Sequence, residues 1–333
     1  MKICIVKLSA MGDIIHAMVA LQFIKKEIPD AQIDWVVESG FRGVLENNPH
    51  IDNILPVNLK SIKTKKSEFF TQYKILKAYS KNNYDIVIDA QGLLKSAIVS
   101  RIIGGKIIAG FDKNSIREGI ASLFYNKKIH IAYHENIILR NVAVILEPLG
   151  IHVNTRLLDA KESYLFFKAE PKLAKPYILF VIGSSWESKN YPKEQFTSLA
   201  NELNEPIFLV WGNEKERELA LWIETHTPNA KALNKMSFDE LKSTIANASI
   251  VIGNDTGPTH MAWALNVPSI TLFGPTPARN TYITNINKAI ESSSAVNPYK
   301  LNKNDFSIGE IEPNQIIKTI KEIREQQTKI SSL

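Results

Sequence analysis

Almost the whole length of this chain alternates short, unbroken apolar runs with segments of helical periodicity, and this feature most limits its fold. In the first half the runs are residues 2–8, 33–37, 54–57, 84–90 and 106–110; in the second they are 177–182, 207–211, 249–253 and 269–273. They lack the every-other-residue polarity of a strand with one wet face, which predicts strands covered on both sides, as in parallel sheets. The clearest helical pattern covers residues 12–28, where Ile15, Met18, Val19 and Phe23 recur at helical spacing until Pro29 ends it. Further helices are expected to begin near Pro192, Glu214, Phe238 and Gly257. Alternation of this kind predicts an α/β protein in which helices cover both faces of each sheet.

At roughly 150 residues per domain, the 333 residues predict two lobes with a cleft between them. The pattern weakens over residues 150–176, where Pro171 and Pro176 bracket a charged stretch, so the expected division is 1–160 and 161–312. A last helix is expected over residues 313–333, with Ile316, Ile317, Ile320 and Ile323 on one face. That stripe predicts packing on a domain, with a membrane-surface helix as the alternative. With 44% apolar and 22% charged residues, composition excludes collagenous and wholly disordered chains. The single cysteine, Cys4, has no partner for a disulfide or thiolate cluster and is expected as a buried hydrophobe. The N-terminal apolar stretch breaks at Lys7, and no run reaches the roughly 18 apolar residues of a membrane span. A cytoplasmic protein is the expectation.

The formal charge is +6, and residues 1–160 hold 21 basic and 15 acidic residues against 19 of each in 161–333. The whole excess therefore lies in the first half, which points to phosphate-bearing ligands or an anionic membrane face. Lys60, Lys63, Lys65 and Lys66 crowd one loop with no acid among them; with Lys7, Lys95, Arg117 and Arg140 they could form a patch for a multiply phosphorylated acceptor, or simply a solvated face. Nucleic acid is disfavoured, because neither RNP-like aromatics nor a recognition helix accompanies the charge.

The first strand leads into Leu8-Ser9-Ala10-Met11-Gly12-Asp13-Ile14-Ile15-His16, a turn opening a helix at the place where open α/β sheets bind ligands. It is no dinucleotide fingerprint, since G-x-G-x-x-G is missing, and no P-loop occurs elsewhere. Asp13 admits two readings, an N-cap or a general base at a cleft mouth. His16 would share its face, in a structural or a catalytic role. The strongest motif is Gly253-Asn254-Asp255-Thr256-Gly257-Pro258-Thr259-His260, where a buried run ends in a polar turn and a helix starts at once. Backbone N–H groups and the helix dipole there make a phosphate site out of main chain; N-capping by Asp255 or Thr256 is the plainer alternative. A second polar turn, with Ser184, Ser185 and Lys189, offers hydroxyls and an ammonium to an oxyanion. Glu214 could accept from a ribose hydroxyl or simply open a helix. Seven scattered histidines, no H-E-x-x-H and no D-x-D give no support for a metal or any other cofactor.

These motifs, together with Asp89-Ala90-Gln91-Gly92-Leu93-Leu94-Lys95-Ser96 and Phe124-Tyr125-Asn126, resemble the bacterial lipopolysaccharide heptosyltransferases over essentially the whole chain. The opening motif resembles the type that adds the first heptose. The resemblance implies a GT-B architecture of two Rossmann-like domains facing across a cleft, the last helix packing back on the first domain, and inverting transfer of L-glycero-D-manno-heptose from ADP-heptose to the Kdo of Kdo-lipid A. It implies Asp13 as base, Ser184, Ser185, Lys189, Thr256 and Gly257 on the diphosphate, Glu214 on the ribose, Met236 at the adenine, Asp255 on the heptose hydroxyls and His260 beside them. It also implies peripheral contact with the cytoplasmic face of the inner membrane. The acceptor loop departs from its relatives in offering lysines for arginines, point charges without the bidentate fork. A sugar-nucleotide epimerase of the same fold, and a non-catalytic binder of anionic lipid or nucleic acid, are the competing readings.

Overall fold

A computed structural model describes residues 1–152 and 154–331, with the side chains of Lys63, Ile330 and Ser331 outside that description. The chain divides into two compact units, Met1–Phe166 and Phe167–Leu333, so the break falls a short way beyond the expected residue 160. The first unit holds β1 (Lys2–Val6), β2 (Gln32–Glu38), β3 (Asn53–Val57), β4 (Tyr84–Asp89), β5 (Gly105–Phe111) and β6 (Lys127–Ile129), all paired in parallel in the order β3-β2-β1-β4-β5-β6. Its helices are α1 (Met11–Met18), α2 (Ala20–Glu27), α3 (Arg42–Leu45), α4 (Ser61–Thr64), α5 (Glu68–Tyr79), α6 (Leu94–Ile103), α7 (Ile137–Leu146) and α8 (Thr155–Asp159). The second unit holds β7 (Ile178–Val181), β8 (Ile207–Val210), β9 (Ala230–Ala232), β10 (Ile250–Asn254), β11 (Ser269–Phe273) and β12 (Asn287–Glu291), parallel in the order β9-β8-β7-β10-β11-β12. Its helices are α9 (Lys193–Glu202), α10 (Glu214–Thr225), α11 (Phe238–Ala246), α12 (Gly257–Ala264) and α13 (Pro313–Ser331).

Both sheets thus share the doubly wound order 3-2-1-4-5-6 within their own unit, and in each the connections diverge between the first and fourth strands. Ligand sites of such sheets lie at the carboxyl ends of those two strands. The central strands are buried along nearly their whole length: Ile3–Val6, Ile178–Val181 and Ile250–Asn254 show almost no accessible surface. Cys4 is free and fully buried in β1, as expected of a small hydrophobe.

The structure departs from the sequence-based expectation in two respects. Residues 12–28 form two helices, α1 and α2, that meet at Val19. The resemblance has the last helix packing back on the first domain; instead Ile316, Ile320 and Ile323 of α13 are buried in the core of the second unit, with Phe196 and Leu199 of α9 and Leu272 of β11. Burial of that stripe also removes the apolar face that a membrane-surface helix would need. Among the described residues no helix is long and apolar enough to cross a membrane.

Candidate functional site

In the second unit the site is built where β7 and β10 lie side by side. Asn254, the last residue of β10, locks the two strand ends together: its Nδ2 donates to the Ile182 carbonyl (2.8 Å) and its Oδ1 accepts from the Tyr191 amide (2.9 Å). Gly253 is required here, because a Cβ would stand 2.5 Å from Cβ of Val181 and 2.7 Å from its carbonyl oxygen.

Asp255 follows, 5% exposed. Its Oδ2 accepts from Lys189 Nζ (2.8 Å), Thr276 Oγ1 (2.8 Å) and Asn280 Nδ2 (3.4 Å), while His260 Nε2 lies 2.9 Å from Oδ1. Burial alone would push the carboxyl up; the Lys189 ammonium and the His260 bond outweigh it and hold the group far below the usual carboxylate range. Asp255 is therefore a charged hub, not an N-cap. Thr256 occupies the N-cap position of α12 but makes no side-chain cap. With Pro258 lacking an N–H, the amides at this helix end are those of Thr256, Gly257 and Thr259. Thr256 and Pro258 are partly exposed, so this end of the helix is reachable from solvent.

The neighbouring loop after β7 differs from the simple clamp that its composition suggests. The Ser184 hydroxyl has one proton and two acceptors already in reach, the Trp186 carbonyl (2.7 Å) and Asn190 Oδ1 (2.8 Å). Ser185 is exposed. Lys189, 12% exposed at its side chain, is held by Asp255 and lies over the Trp186 ring at 5.8 Å. Glu214 stands at the first turn of α10, exposed, and pairs with Arg217 at 2.6 Å. Met236 is half-buried and its sulfur accepts from Thr244 Oγ1 at 3.6 Å. Glu216 carries no motif that would single it out: its carboxylate accepts the Gly212 amide (2.6 Å) and fills the space beside Gly183, where a Cβ would stand 2.0 Å from its carboxyl carbon.

In the first unit the corresponding place is the end of β1 beside β4. Asp13 is the third residue of α1, partly exposed, and its Oδ2 accepts from the Ala10 amide (3.1 Å). The N-cap residue is Ala10, so Asp13 supports the helix start from within the first turn rather than capping it. The preceding loop is shaped by the Asp89–Ser96 motif: Gln91 Oε1 accepts the amides of Leu8 and Ser9 (3.1 Å each), and Asp89 accepts those of Gln91 and Gly92 and the Tyr125 hydroxyl (2.7 Å). Gly92 has φ +70 and no room for a Cβ beside Ile116 at 2.7 Å. Burial pushes the Asp89 carboxyl up against these hydrogen bonds.

The basic residues divide into two groups. Lys7 and Arg140 are buried, which removes them from an exposed acceptor patch. Lys7 donates to the Ala90 carbonyl (2.7 Å) and Asn141 Oδ1 (3.1 Å); burial lowers its pKa, and the charges of Asp13 and Asp89 partly restore it. Arg140 donates to the Ser115 (2.6 Å) and Ala132 (2.7 Å) carbonyls between the rings of Phe111 and Tyr133. Lys60, Lys65, Lys66, Lys95 and Arg117 are exposed. The Lys63 side chain lies outside the described residues. Glu38, which sequence reasoning also passed over, is buried at the end of β2; desolvation pushes its carboxyl up, opposed by the charges of Lys95 and Lys60. Among the described residues no group of three or more His, Cys, Asp or Glu side chains is placed to hold a metal ion.

Residues 72–309 match the model of glycosyltransferase family 9 (heptosyltransferase). The chain is 41% identical to lipopolysaccharide heptosyltransferase 1 of Campylobacter coli, over 97% of this chain and 99% of that protein. It is 34% identical to lipopolysaccharide heptosyltransferase 1 of Escherichia coli K12, over 83% and 88% of the two lengths. Among solved structures it is similar to E. coli heptosyltransferase WaaC with ADP-2-deoxy-2-fluoro heptose, at a TM-score of 0.80 and 28% identity, covering 97% of this chain and 99% of that one. The two six-stranded parallel sheets are those of a GT-B heptosyltransferase. Matched to the family model over most of its length and to relatives nearly end to end, the chain belongs to glycosyltransferase family 9, the heptosyltransferases.

Proposed function

We propose that this protein transfers L-glycero-D-manno-heptose from ADP-heptose to the Kdo of Kdo-lipid A, as the first heptose of the lipopolysaccharide inner core, with inversion at the anomeric carbon. The observation that carries the reading is the start of α12, which no side chain caps, beside the Lys189–Asp255 pair at the switch point of the second sheet. Such a helix end stabilises a diphosphate through amides and dipole. The amides of Thr256 and Gly257 hold the ADP diphosphate; Asp255 keeps the Lys189 ammonium in place beside it. Ser185 adds a donor, with Ser184 doing so once its hydroxyl rotates off its present acceptors. Glu214, released from Arg217, takes the ribose, Met236 the adenine, and Asp255 and His260 the sugar.

Asp13 acts as the base. Its partly exposed carboxylate takes the proton of the Kdo hydroxyl as that oxygen bonds to the heptose anomeric carbon; the bond from that carbon to the diphosphate breaks, and ADP leaves with the electron pair. Lys7 is a positioning group behind Asp13, while the exposed lysines and Arg117 attract the anionic acceptor. The acceptor is a lipid, so the enzyme works in the cytoplasm against the inner-membrane face.

The test is incubation of the purified protein with ADP-heptose and Kdo-lipid A, followed by the mass of the product. A gain of one heptose is expected only with acceptor present, and conversion of ADP-heptose without acceptor would overturn the assignment. Asp13→Asn is expected to lower turnover by about two to four decades with ADP affinity unchanged; near-normal turnover would remove Asp13 as base.

A further inference from the structure

Among the described residues fifteen large hydrophobic side chains are exposed, and seven of them lie on three adjoining pieces of the first unit. On α5, Gln72 and Leu76 face the core, while Phe69 (54% exposed), Phe70 (70%) and Tyr73 stand outward. The helix packs against α6, whose outer face carries Leu94 and Ile98, and α6 packs against the turn Gly119–Phe124, which exposes Ile120 and Leu123 (75%). Glu118 fixes that turn to the start of α6 by accepting the Leu94 amide.

The charge on the same surface is equally uneven. Residues 60–81 contain seven lysines and one glutamate, a net +6 that equals the charge of the whole chain and leaves the remainder neutral. On α5 lysines and aromatics interleave, with Lys77 lying over the Tyr73 ring at 5.9 Å and Phe69 edge-on to Phe70 at 5.7 Å. Aromatic rings beside lysines with long apolar stems suit the boundary between water and lipid headgroups, where the ring or stem enters the apolar layer and the ammonium stays at the phosphates. A protein partner of ordinary composition would not call for so one-sided a charge. Helix α13, the alternative membrane-surface helix, has its apolar stripe buried in the second unit.

We propose that the outer face of α5, with the exposed apolar residues of α6 and the Gly119–Phe124 turn beside it, docks on an anionic phospholipid leaflet by inserting Phe69, Phe70 and Tyr73 among lysines that bind lipid phosphates. The inference deepens the proposed function, resting on its reading of the acceptor as a membrane lipid. It assigns attachment to this helix and makes it partly hydrophobic rather than purely electrostatic.

The test is flotation of the full-length protein with phosphatidylcholine vesicles, with or without phosphatidylglycerol, in the absence of acceptor. Binding is expected only with phosphatidylglycerol, weakened but not abolished by 0.5 M salt, a level at about which screening confines charges to a few ångströms. F69S/F70S/Y73S is expected to keep its melting temperature and its transfer rate on a deacylated, water-soluble acceptor, yet to lose vesicle binding by about tenfold or more. K74Q/K77Q, with the aromatics intact, is expected to lose about fivefold per lysine. Unchanged binding by the triple variant, no binding by the wild type, binding only when Kdo-lipid A is present, or a wild-type dimer that the triple variant dissociates would each overturn the proposal. Loss of transfer on the soluble acceptor by the wild type would instead count against the proposed function, which separates the two failures.

Discussion

Lys7 and Arg140 contribute to the basic excess of the first half, yet both are buried and bonded to carbonyls. Asp255 was legible as part of a site because its turn follows a buried strand; its partners Thr276 and Asn280 were not, since only the fold brings them to it. The charge hub predicts a pH effect of definite sign. The folded-state pKa of Asp255 is depressed, so its contribution to stability is present above its unfolded value near about 4 and is lost as pH falls below that. Asp255→Asn is expected to cost about 3–5 kcal/mol at pH 7, typical of breaking a buried pair, with the penalty shrinking toward pH 3; urea unfolding at several pH values checks this. Lys161 predicts a slope of the same sign in a higher range of pH. It is 7% exposed beside the Tyr164 ring, and burial lowers its pKa to about 7. The unfolded chain then binds more protons than the folded one between pH 7 and 10, so stability should rise with pH there by up to about 1.4 kcal/mol per unit for one proton. Lys161→Met should remove that rise.

At the scale of elements, legibility follows burial. The nine strands readable as continuous apolar runs correspond to β1–β5, β7, β8, β10 and β11. The three without such a signal, β6, β9 and β12, are sheet edges. β6 and β9 have three residues each, too few for a periodicity, and β12, Asn-Lys-Ala-Ile-Glu, is mostly half-exposed and carries polar residues accordingly. Helix α13 shows the converse limit, since an apolar stripe announces that a helix packs but not on what. Its observed place predicts that Ile320→Ala, at a 2% exposed position in the second unit's core, costs about 2–5 kcal/mol, with the loss appearing as earlier urea unfolding of probes in that unit, Trp211 or Trp222.

For the whole molecule, the proposed function gives the two units separate tasks, which predicts separable defects. Thr256→Pro removes an N-cap amide and imposes φ near −65° where the chain holds −152°. ADP binding should weaken by about ten- to a hundredfold, as for one or two lost bonds to a charged group, whereas Asp13→Asn should leave the same calorimetric ADP titration untouched. Equal effects of the two substitutions on ADP affinity would contradict the division. The repeated strand order carries that division further. Each unit offers loops after its first and fourth strands: Leu8–Asp13 with Asp89–Gly92, and Gly183–Lys189 with Asn254–Thr256. One scaffold is thus used twice, and under the proposed function the half with the base differs from the half that holds the diphosphate in what the two loops of each display. Specialisation here belongs to side chains grafted on interchangeable frames, so altering a few of them, with both frames left intact, is the natural route by which such a protein could change what it joins.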